Sequence, residues 1–436
     1  MRSRNIFLLL LSLSLTGFLF MRGHPLGLSV DGEEYLKVAN ALRDGSFWNW
    51  SDGPGAEVFM FHRLPVYPSL IAISLGLTQS VPSAVLLCHV LVTFAAFFLI
   101  GRLFSDSPRP WVSAVGVAIA LVPLTAYSHY VLAEWFCGLA LVMLWGYLLK
   151  YSRSKLENSL FSISLLSSVL CGMRAALVPA LLFPAAVLLS SSDRRKAAAR
   201  ILVGGIPIIL VIAANHYRFG VPKVSYLLGH QVAVMGALAG GTAAIPANDK
   251  GDFLRRFEES RVRVFFDYGI SENAGIRYAE YLTPDHTLYT LLLDALFRAR
   301  TEAGLTLQQA DSLALGHGWQ AIKDHRAEYI QLVKRGIIGS HCGIVLVLVV
   351  GILGAIRMSH LPRSLAFPTL VSAAFYFAYT LEISMLQFVI PRYTDLVFYP
   401  VCGLFIMMLS YLGCGHSKSY RKILSSGTQS SGDQIV

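Results

Sequence analysis

Three acidic residues with possible chemical roles stand in one short stretch, 29–35, directly after the first apolar segment: Asp31, Glu33 and Glu34. A carboxylate at a membrane surface can serve as a general base or as a metal ligand, and a nearby arginine, here Arg63, can hold a phosphate. Two exposed charges on a loop helix are the alternative interpretation of Glu33 and Glu34, and an interfacial anchor is the alternative for Arg63. The stretch predicts a reaction site at the boundary of a lipid bilayer.

Glu134 and Arg392 are polar residues at the ends of apolar segments. Burying an unpaired acid costs several kcal/mol, so Glu134 requires either a function or a partner. A structural pair with Arg174 is the alternative to a functional role. Arg392 opens the last apolar segment, where it either meets a lipid phosphate or anchors the helix at the interface.

Composition indicates a membrane protein. The chain has 436 residues, 55% hydrophobic and 14% charged, with a mean hydropathy of +0.57, and a soluble domain of this length carries more charge. The net charge of +10 comes mainly from Lys and Arg in short breaks between apolar segments. Basic residues in such breaks orient helices in the bilayer, so nucleic-acid binding is not expected. All six cysteines lie in or beside apolar segments, so none is expected to form a disulfide in an outer loop.

Apolar runs of about 17–25 residues can cross a bilayer, and this criterion predicts an all-α polytopic protein with about ten crossings. The first run follows two arginines and lacks a cleavage site, which predicts an uncleaved helix. A Gly-Met-Arg interruption predicts two short helices between 159 and 191, and the run 64–77 is too short to cross. The predicted crossings are 5–21, 82–103, 110–128, 131–150, 159–173, 175–191, 200–214, 336–357, 365–383 and 395–413.

Lys and Arg gather on one side of this arrangement, which the positive-inside rule makes cytoplasmic, with both termini inside. Loops 22–81 and 215–335 are then outside, and a capping box at 306–309 is one of several helix signals in the second loop. The predicted organisation is an N-terminal membrane core with the first outer loop (1–214), a helical outer subdomain (215–335), C-terminal membrane helices (336–413) and a disordered cytoplasmic tail (414–436).

The first outer loop resembles that of the GT-C glycosyltransferases, notably the bacterial relatives of protein O-mannosyltransferase and of the aminoarabinose transferase. The resemblance covers 1–215 well and 320–413 loosely. Two positions depart from the family: Gly32 stands where an acid often follows the Asp, and Ala175 stands where a proline follows the Arg. The residues that carry the resemblance are Asp31, Tyr35, Ala39, Gly45 and the run Arg63-Leu64-Pro65-Val66-Tyr67-Pro68.

The resemblance implies a GT-C-like fold and an inverting sugar transfer from a polyprenyl-phosphate donor to a lipid, glycan or protein acceptor. It places the protein in a bacterial inner (plasma) membrane, with the site facing the exterior. It requires no cofactor and predicts no resident metal, although a divalent cation is left open. The implied site residues are Asp31 as general base with Glu134 and Glu34, and Arg63, Arg174 and Arg392 on the donor phosphate. A lipid-linked sugar transporter or flippase, or a non-catalytic envelope assembly protein, is the alternative function.

Overall fold

The computed structural model describes residues 2–20, 27, 30–49, 64–78, 80–154, 158–219, 224, 228–240, 249–267, 288–386 and 391–412. The regular structure of these ranges is helical, and an isolated β-bridge joins Gly27 to Tyr130. The prediction of an all-α membrane protein is confirmed at this level.

The first ten α-helices form the N-terminal part of a membrane bundle. Short 3-10 segments interrupt it at Ser46–Asn49, Val122–His129 and Ala175–Leu181. The α-helices are α1 (Arg2–Phe20), α2 (Val30–Arg43), α3 (Val66–Thr78), α4 (Val81–Phe104), α5 (Pro110–Leu121), α6 (Glu134–Ser154), α7 (Asn158–Met173), α8 (Leu182–Ser190), α9 (Arg194–Gly204) and α10 (Ile206–Phe219).

The remaining helices form a subdomain and then return to the bundle. The subdomain helices are α11 (Leu228–Leu238), α12 (Asp249–Asp267), α13 (Leu288–Glu302) and α14 (Leu307–Asp324). The returning helices are α15 (Arg326–Gly339), α16 (Cys342–Arg357), α17 (Ala366–Leu386) and α18 (Pro391–Leu409).

Four helical segments in the described ranges are long and apolar enough to cross a membrane: Val81–Phe104, Pro110–His129, Glu134–Ser154 and Arg363–Leu386. The count rises to six if each of two bent helix pairs, α9 with α10 and α15 with α16, forms one span. Shorter apolar helices occupy the other predicted crossings, including α1, α7 and α18. The total of about ten crossings stays a prediction.

The bundle has two chemically different ends. At one end, which we call the loop end, the first turns of α2 and α6 carry Asp31 and Glu134. The other end, which we call the basic end, carries Lys150 and Arg153 in the last turns of α6. Tyr151 at this end hydrogen-bonds to Ser190, which brings the α8–α9 connection to the same end. Helix α6 therefore begins at the loop end with Glu134 and ends at the basic end with Arg153. Basic residues gathered at one end are the feature that orients membrane helices.

The predicted break between 159 and 191 is confirmed and falls at Arg174. Helix α7 ends at Met173, Arg174 has an extended backbone (φ −146°, ψ 126°), and a 3-10 helix begins at Ala175. Gly172 is required just before the break, because a Cβ atom there would collide with the side chain of Val66 at the start of α3. At this break the Arg174 side chain reaches Glu134 at the loop end. The start of α3 packs against the end of α7 next to the break.

The subdomain has its own hydrophobic core, built mainly from α11, α12 and α13, with smaller contributions from α14 and α15. The predicted capping box is present: the Thr306 hydroxyl accepts from the Gln309 backbone N–H at 3.3 Å, and the Gln309 side chain accepts from the Thr306 N–H at 3.0 Å. Asp311 on α14 accepts hydrogen bonds from the backbone N–H groups of Gly229 and His230, so it caps α11 from a neighbouring helix. These contacts hold the subdomain helices together. The sequence also predicts Thr287 as the N-cap of the helix that follows it, and this residue lies outside the described residues.

A buried charge cluster joins two subdomain helices. The Glu258 carboxylate on α12 binds Arg261 Nε at 2.6 Å and His317 Nε2 on α14 at 2.9 Å. Burial by itself raises the pKa of Glu258, but the hydrogen bond from His317 and the Arg261 charge lower the pKa below its usual value. The carboxylate therefore stays charged and locks α12 onto α14.

Candidate functional site

Gly27, between α1 and α2, pairs through its backbone with the turn before α6. The Gly27 N–H donates to the His129 carbonyl at 2.8 Å, and the Val131 N–H donates to the Gly27 carbonyl at 3.3 Å. A Cβ atom at position 27 would lie 2.8 Å from the Tyr130 ring, so a larger residue there would force this ring to move. This pairing brings the start of α2, with Asp31, to the side of the bundle where Glu134 begins α6.

Helix α2 presents its acids in two directions. Asp31, Glu34 and Tyr35 lie three and four residues apart and share a helix face, whereas Glu33 is on another face and exposed. Tyr35 is buried, and Asp31 and Glu34 are half-buried. The first turn of a helix also stabilises a carboxylate through the helix dipole. Asp31 and Glu34 therefore share the inward face, whereas Glu33 is exposed on another face. Of the two inward acids, Asp31 is the one in the first turn, where the dipole favours its charged form.

The structure pairs Glu134 with Arg174. Nη1 of Arg174 donates to a Glu134 carboxylate oxygen, and the two side chains are 11% and 1% exposed, respectively. The Arg174 guanidinium also stacks over the Tyr393 ring, 4.7 Å from its centroid. The pairing that the sequence allowed as an alternative for Glu134 is therefore present, and it joins α6 to the break after α7 and to the start of α18.

Aromatic hydroxyl groups surround this ion pair. Tyr35, Tyr379 and Tyr393 all lie near the Arg174 guanidinium. The Tyr379 hydroxyl donates to the Tyr393 carbonyl at 2.9 Å, which fixes the first turn of α18 against α17. Tyr35 therefore links α2, the helix of Asp31, to the surroundings of the Glu134–Arg174 pair.

A buried hydrogen-bond chain fixes Tyr67, the residue whose ring packs against Tyr35. The Tyr35 ring meets the Tyr67 ring edge-on at 4.8 Å. The Tyr67 hydroxyl donates to His89 Nε2 at 2.9 Å, and His89 Nδ1 donates to the Ser128 carbonyl at 3.1 Å. The carbonyl acceptor requires the proton on Nδ1, which leaves Nε2 free to accept from tyrosine. The chain fixes α3 to α4 and thereby sets the position of α2.

Sequence reasoning missed His89 and Gly27. The available signal for His89 was a lone histidine inside the apolar run 82–103, since a polar side chain in a membrane helix requires a partner. The corresponding signal for Gly27 was weaker, because a glycine beside a proline-containing loop is common.

Two predicted site residues remain, Arg63 and Arg392. Arg63 is outside the described residues. Arg392 belongs to the first turn of α18, next to Tyr393, and its side chain is not described. No group of three or more His, Cys, Asp or Glu residues that could hold a metal ion occurs in the part of the chain that the structure describes. The structure therefore brings together the helices of Asp31, Glu134, Arg174 and Arg392 at the loop end.

An apolar groove of about 760 Å³ begins beside this region. Trp135, the residue after Glu134, lines it together with α1, α4 and α5. The lining extends along α1 from Leu19 to Phe7, a length of about 18 Å at ~1.5 Å per residue. The groove therefore leads from the neighbourhood of the Glu134–Arg174 pair toward the basic end.

Comparisons with models of protein families, with curated proteins and with solved structures found no match. The described residues define an α-helical membrane protein with four to six candidate spans. Its loop end holds a buried acid–arginine pair next to a helix that carries two further acids on its inward face.

Proposed function

We propose that this protein is an integral membrane glycosyltransferase of the GT-C type, which moves a sugar from a polyprenyl phosphate to a lipid, glycan or protein acceptor outside the cell. The observation that carries the proposal is the buried Glu134–Arg174 pair at the loop end, beside the helix of Asp31. In this proposal, the acid takes the proton of the acceptor, the arginine binds the donor phosphate, and the neighbouring apolar groove holds the isoprenoid chain.

In the proposed reaction, the Asp31 carboxylate accepts the proton of the acceptor hydroxyl or amine while that oxygen or nitrogen attacks the anomeric carbon. The bond between the anomeric carbon and the phosphate oxygen breaks, and polyprenyl phosphate leaves with the electron pair. Phosphate is a good leaving group, so one base suffices and no covalent enzyme intermediate is needed. A single displacement inverts the configuration of the anomeric carbon.

Three arginines are proposed to bind the donor phosphate: Arg63, Arg174 and Arg392. Among them, the structure describes the side chain of Arg174. A guanidinium has five N–H donors in a planar fork, so the bond from Nη1 to Glu134 leaves donors that can bind a phosphate. Glu134 holds this fork in place, and the Tyr393 ring supports its flat side. Arg63 and Arg392 complete the proposed phosphate set.

The donor can be tested with purified protein in lipid nanodiscs. We expect the protein to consume a polyprenyl-phosphate sugar from a panel of hexose and aminopentose donors, and to leave nucleotide sugars intact, because the proposed site binds a lipid phosphate. Mass spectrometry of released polyprenyl phosphate measures the turnover, with membrane extract as the acceptor source. Turnover of a nucleotide sugar alone would falsify the proposed donor class.

The orientation of the loop end is a separate prediction. Glu259 on α12 and Arg195 on α9 are both exposed, and they lie in the subdomain and near the basic end, respectively. In a variant without native cysteines, Glu259→Cys is expected to react with a membrane-impermeant thiol reagent in intact spheroplasts. Arg195→Cys is expected to react only after lysis, because positive residues stay inside. The reverse labelling pattern would place the proposed site in the cytoplasm.

A lipid-linked sugar transporter is the second candidate, and the length of the groove along α1 favours it. A transporter must let the labelled donor cross the bilayer of a proteoliposome, whereas the enzyme must convert it on one side. Donor movement without transfer in the same preparation supports the transporter.

A further inference from the structure

A second cavity, of about 500 Å³, lies at the basic end between α4, α6 and Tyr411, which follows α18. Its inner wall consists of leucine and phenylalanine side chains of α4 and α6. Its rim carries three cations and one acid: Arg102, Lys150, Arg153 and Asp106. The cavity is therefore apolar inside and net positive at its mouth.

One of the three cations is fixed in place. Nη1 of Arg153 donates to the Tyr411 hydroxyl at 2.8 Å, and the guanidinium lies over the Tyr411 ring, 4.7 Å from its centroid. Arg102 and Lys150 are exposed at the same mouth. Close packing of α4 on α6 brings them together, since a Cβ atom at Gly146 would lie 2.8 Å from the Leu103 side chain. The cavity thus combines a preoriented guanidinium with two accessible charges.

This cavity is distinct from the region around Glu134. Glu134 and Lys150 belong to the same helix, and their sixteen-residue separation corresponds to about 24 Å at ~1.5 Å per residue. That distance approaches the thickness of a bilayer's hydrocarbon core, roughly 30 Å. The proposed sugar transfer makes no use of the cavity.

We propose that the cavity binds the head-group phosphate of an anionic phospholipid from the leaflet at the basic end. Arginine binds phosphate through paired N–H groups, and lysine adds a point charge. Basic pockets between membrane helices are suited to anionic head groups. The apolar inner wall favours a lipid over free phosphate, because only a lipid brings hydrocarbon to cover that wall while its phosphate meets the rim. Asp106 opposes the binding of any anion, and the three cations outweigh it.

The test uses the full-length protein in detergent, titrated with short-chain phosphatidylglycerol while its thermal unfolding midpoint is followed. A ligand that binds the folded state raises this midpoint as its concentration exceeds its Kd. Arg102→Gln/Lys150→Gln is expected to weaken binding by about 30-fold, because each basic residue near an anionic lipid contributes about a fivefold factor. Both side chains are exposed, so folding should be retained, and Lys150→Gln alone is expected to give about a fivefold loss.

The matched control is Arg194→Gln/Arg195→Gln, which removes the same charge from exposed positions of α9 that do not line the cavity. This control should bind phosphatidylglycerol as the original protein does, and short-chain phosphatidylcholine should give a much smaller rise for all variants. Equal weakening in the two double variants would mean diffuse surface attraction and would overturn the proposal. An equal rise with inorganic phosphate at the same concentrations would overturn the lipid as the ligand. If phosphatidylglycerol still raises the unfolding midpoint of Arg102→Gln/Lys150→Gln and of Lys150→Gln as it does for the original protein, the proposed lipid site is also overturned.

Discussion

Replacing Asp31 with asparagine is expected to reduce sugar transfer by about 10²–10⁴-fold, the usual loss when a general base is removed. Asparagine keeps the size and the hydrogen-bonding capacity of the side chain but cannot take the acceptor proton. Asp31 lies in the first turn of α2 and is only half-buried, so the protein should still fold and insert. Single-turnover transfer with a saturating donor measures the chemical step, and donor binding should be nearly unchanged.

The chain offers two matched controls on the same helix. Glu33→Gln removes the same charge from an exposed position on another face, and transfer should be close to that of the original protein. Glu34→Gln removes a charge from the inward face, one turn away from Asp31. Full activity of Asp31→Asn together with inactive Glu34→Gln would assign the base to Glu34. If neither variant of the inward face alters transfer, the general base does not lie on α2. Absence of transfer by the original protein would favour the transporter or assembly-protein alternative.

Local patterns in the sequence predicted the helices and several of their ends. Hydropathy located an apolar helix at each predicted crossing, and the glycine and arginine between 172 and 174 predicted the break, because a charge cannot remain unpaired inside a membrane helix. The capping box at Thr306 was also predictable, because its two partners, Thr306 and Gln309, are only three residues apart in the chain. These features depend on neighbours in the chain.

The contacts that assemble the candidate site depend on packing between distant segments. His89 bonds to Tyr67 and to Ser128, which are 22 and 39 positions away, and hydropathy carries no information about such pairs. Asp311 caps α11 across 82 positions. The Glu134–Arg174 pair was foreseeable as an alternative because each charge borders an apolar segment and needs a partner. The choice of that partner required the three-dimensional structure.

The second large effect is expected at the Glu134–Arg174 pair, and it concerns stability. Glu134→Gln leaves the Arg174 guanidinium buried without its carboxylate, and Arg174→Gln leaves the Glu134 carboxylate buried without its cation. Breaking a buried ion pair by removing one partner costs about 3–5 kcal/mol. Each single variant should therefore lower the thermal unfolding midpoint strongly and reduce the yield from membranes. Arg174→Gln should in addition weaken donor binding, because the phosphate is already present in the ground state.

The double variant Glu134→Gln/Arg174→Gln tests whether the two residues stabilise the protein as a pair or independently. With both charges removed, two neutral amides remain that can hydrogen-bond to each other, so the double variant should be more stable than either single variant. The exposed Arg43–Asp44 pair, with side chains 39% and 53% exposed, is the matched control, and Asp44→Asn should shift the midpoint little. Purely additive effects of the two single changes would show that Glu134 and Arg174 act independently. Donor binding by the double variant would remain low even with stability restored, since the proposed phosphate ligand is absent, and strong donor binding there would remove Arg174 from the proposed site.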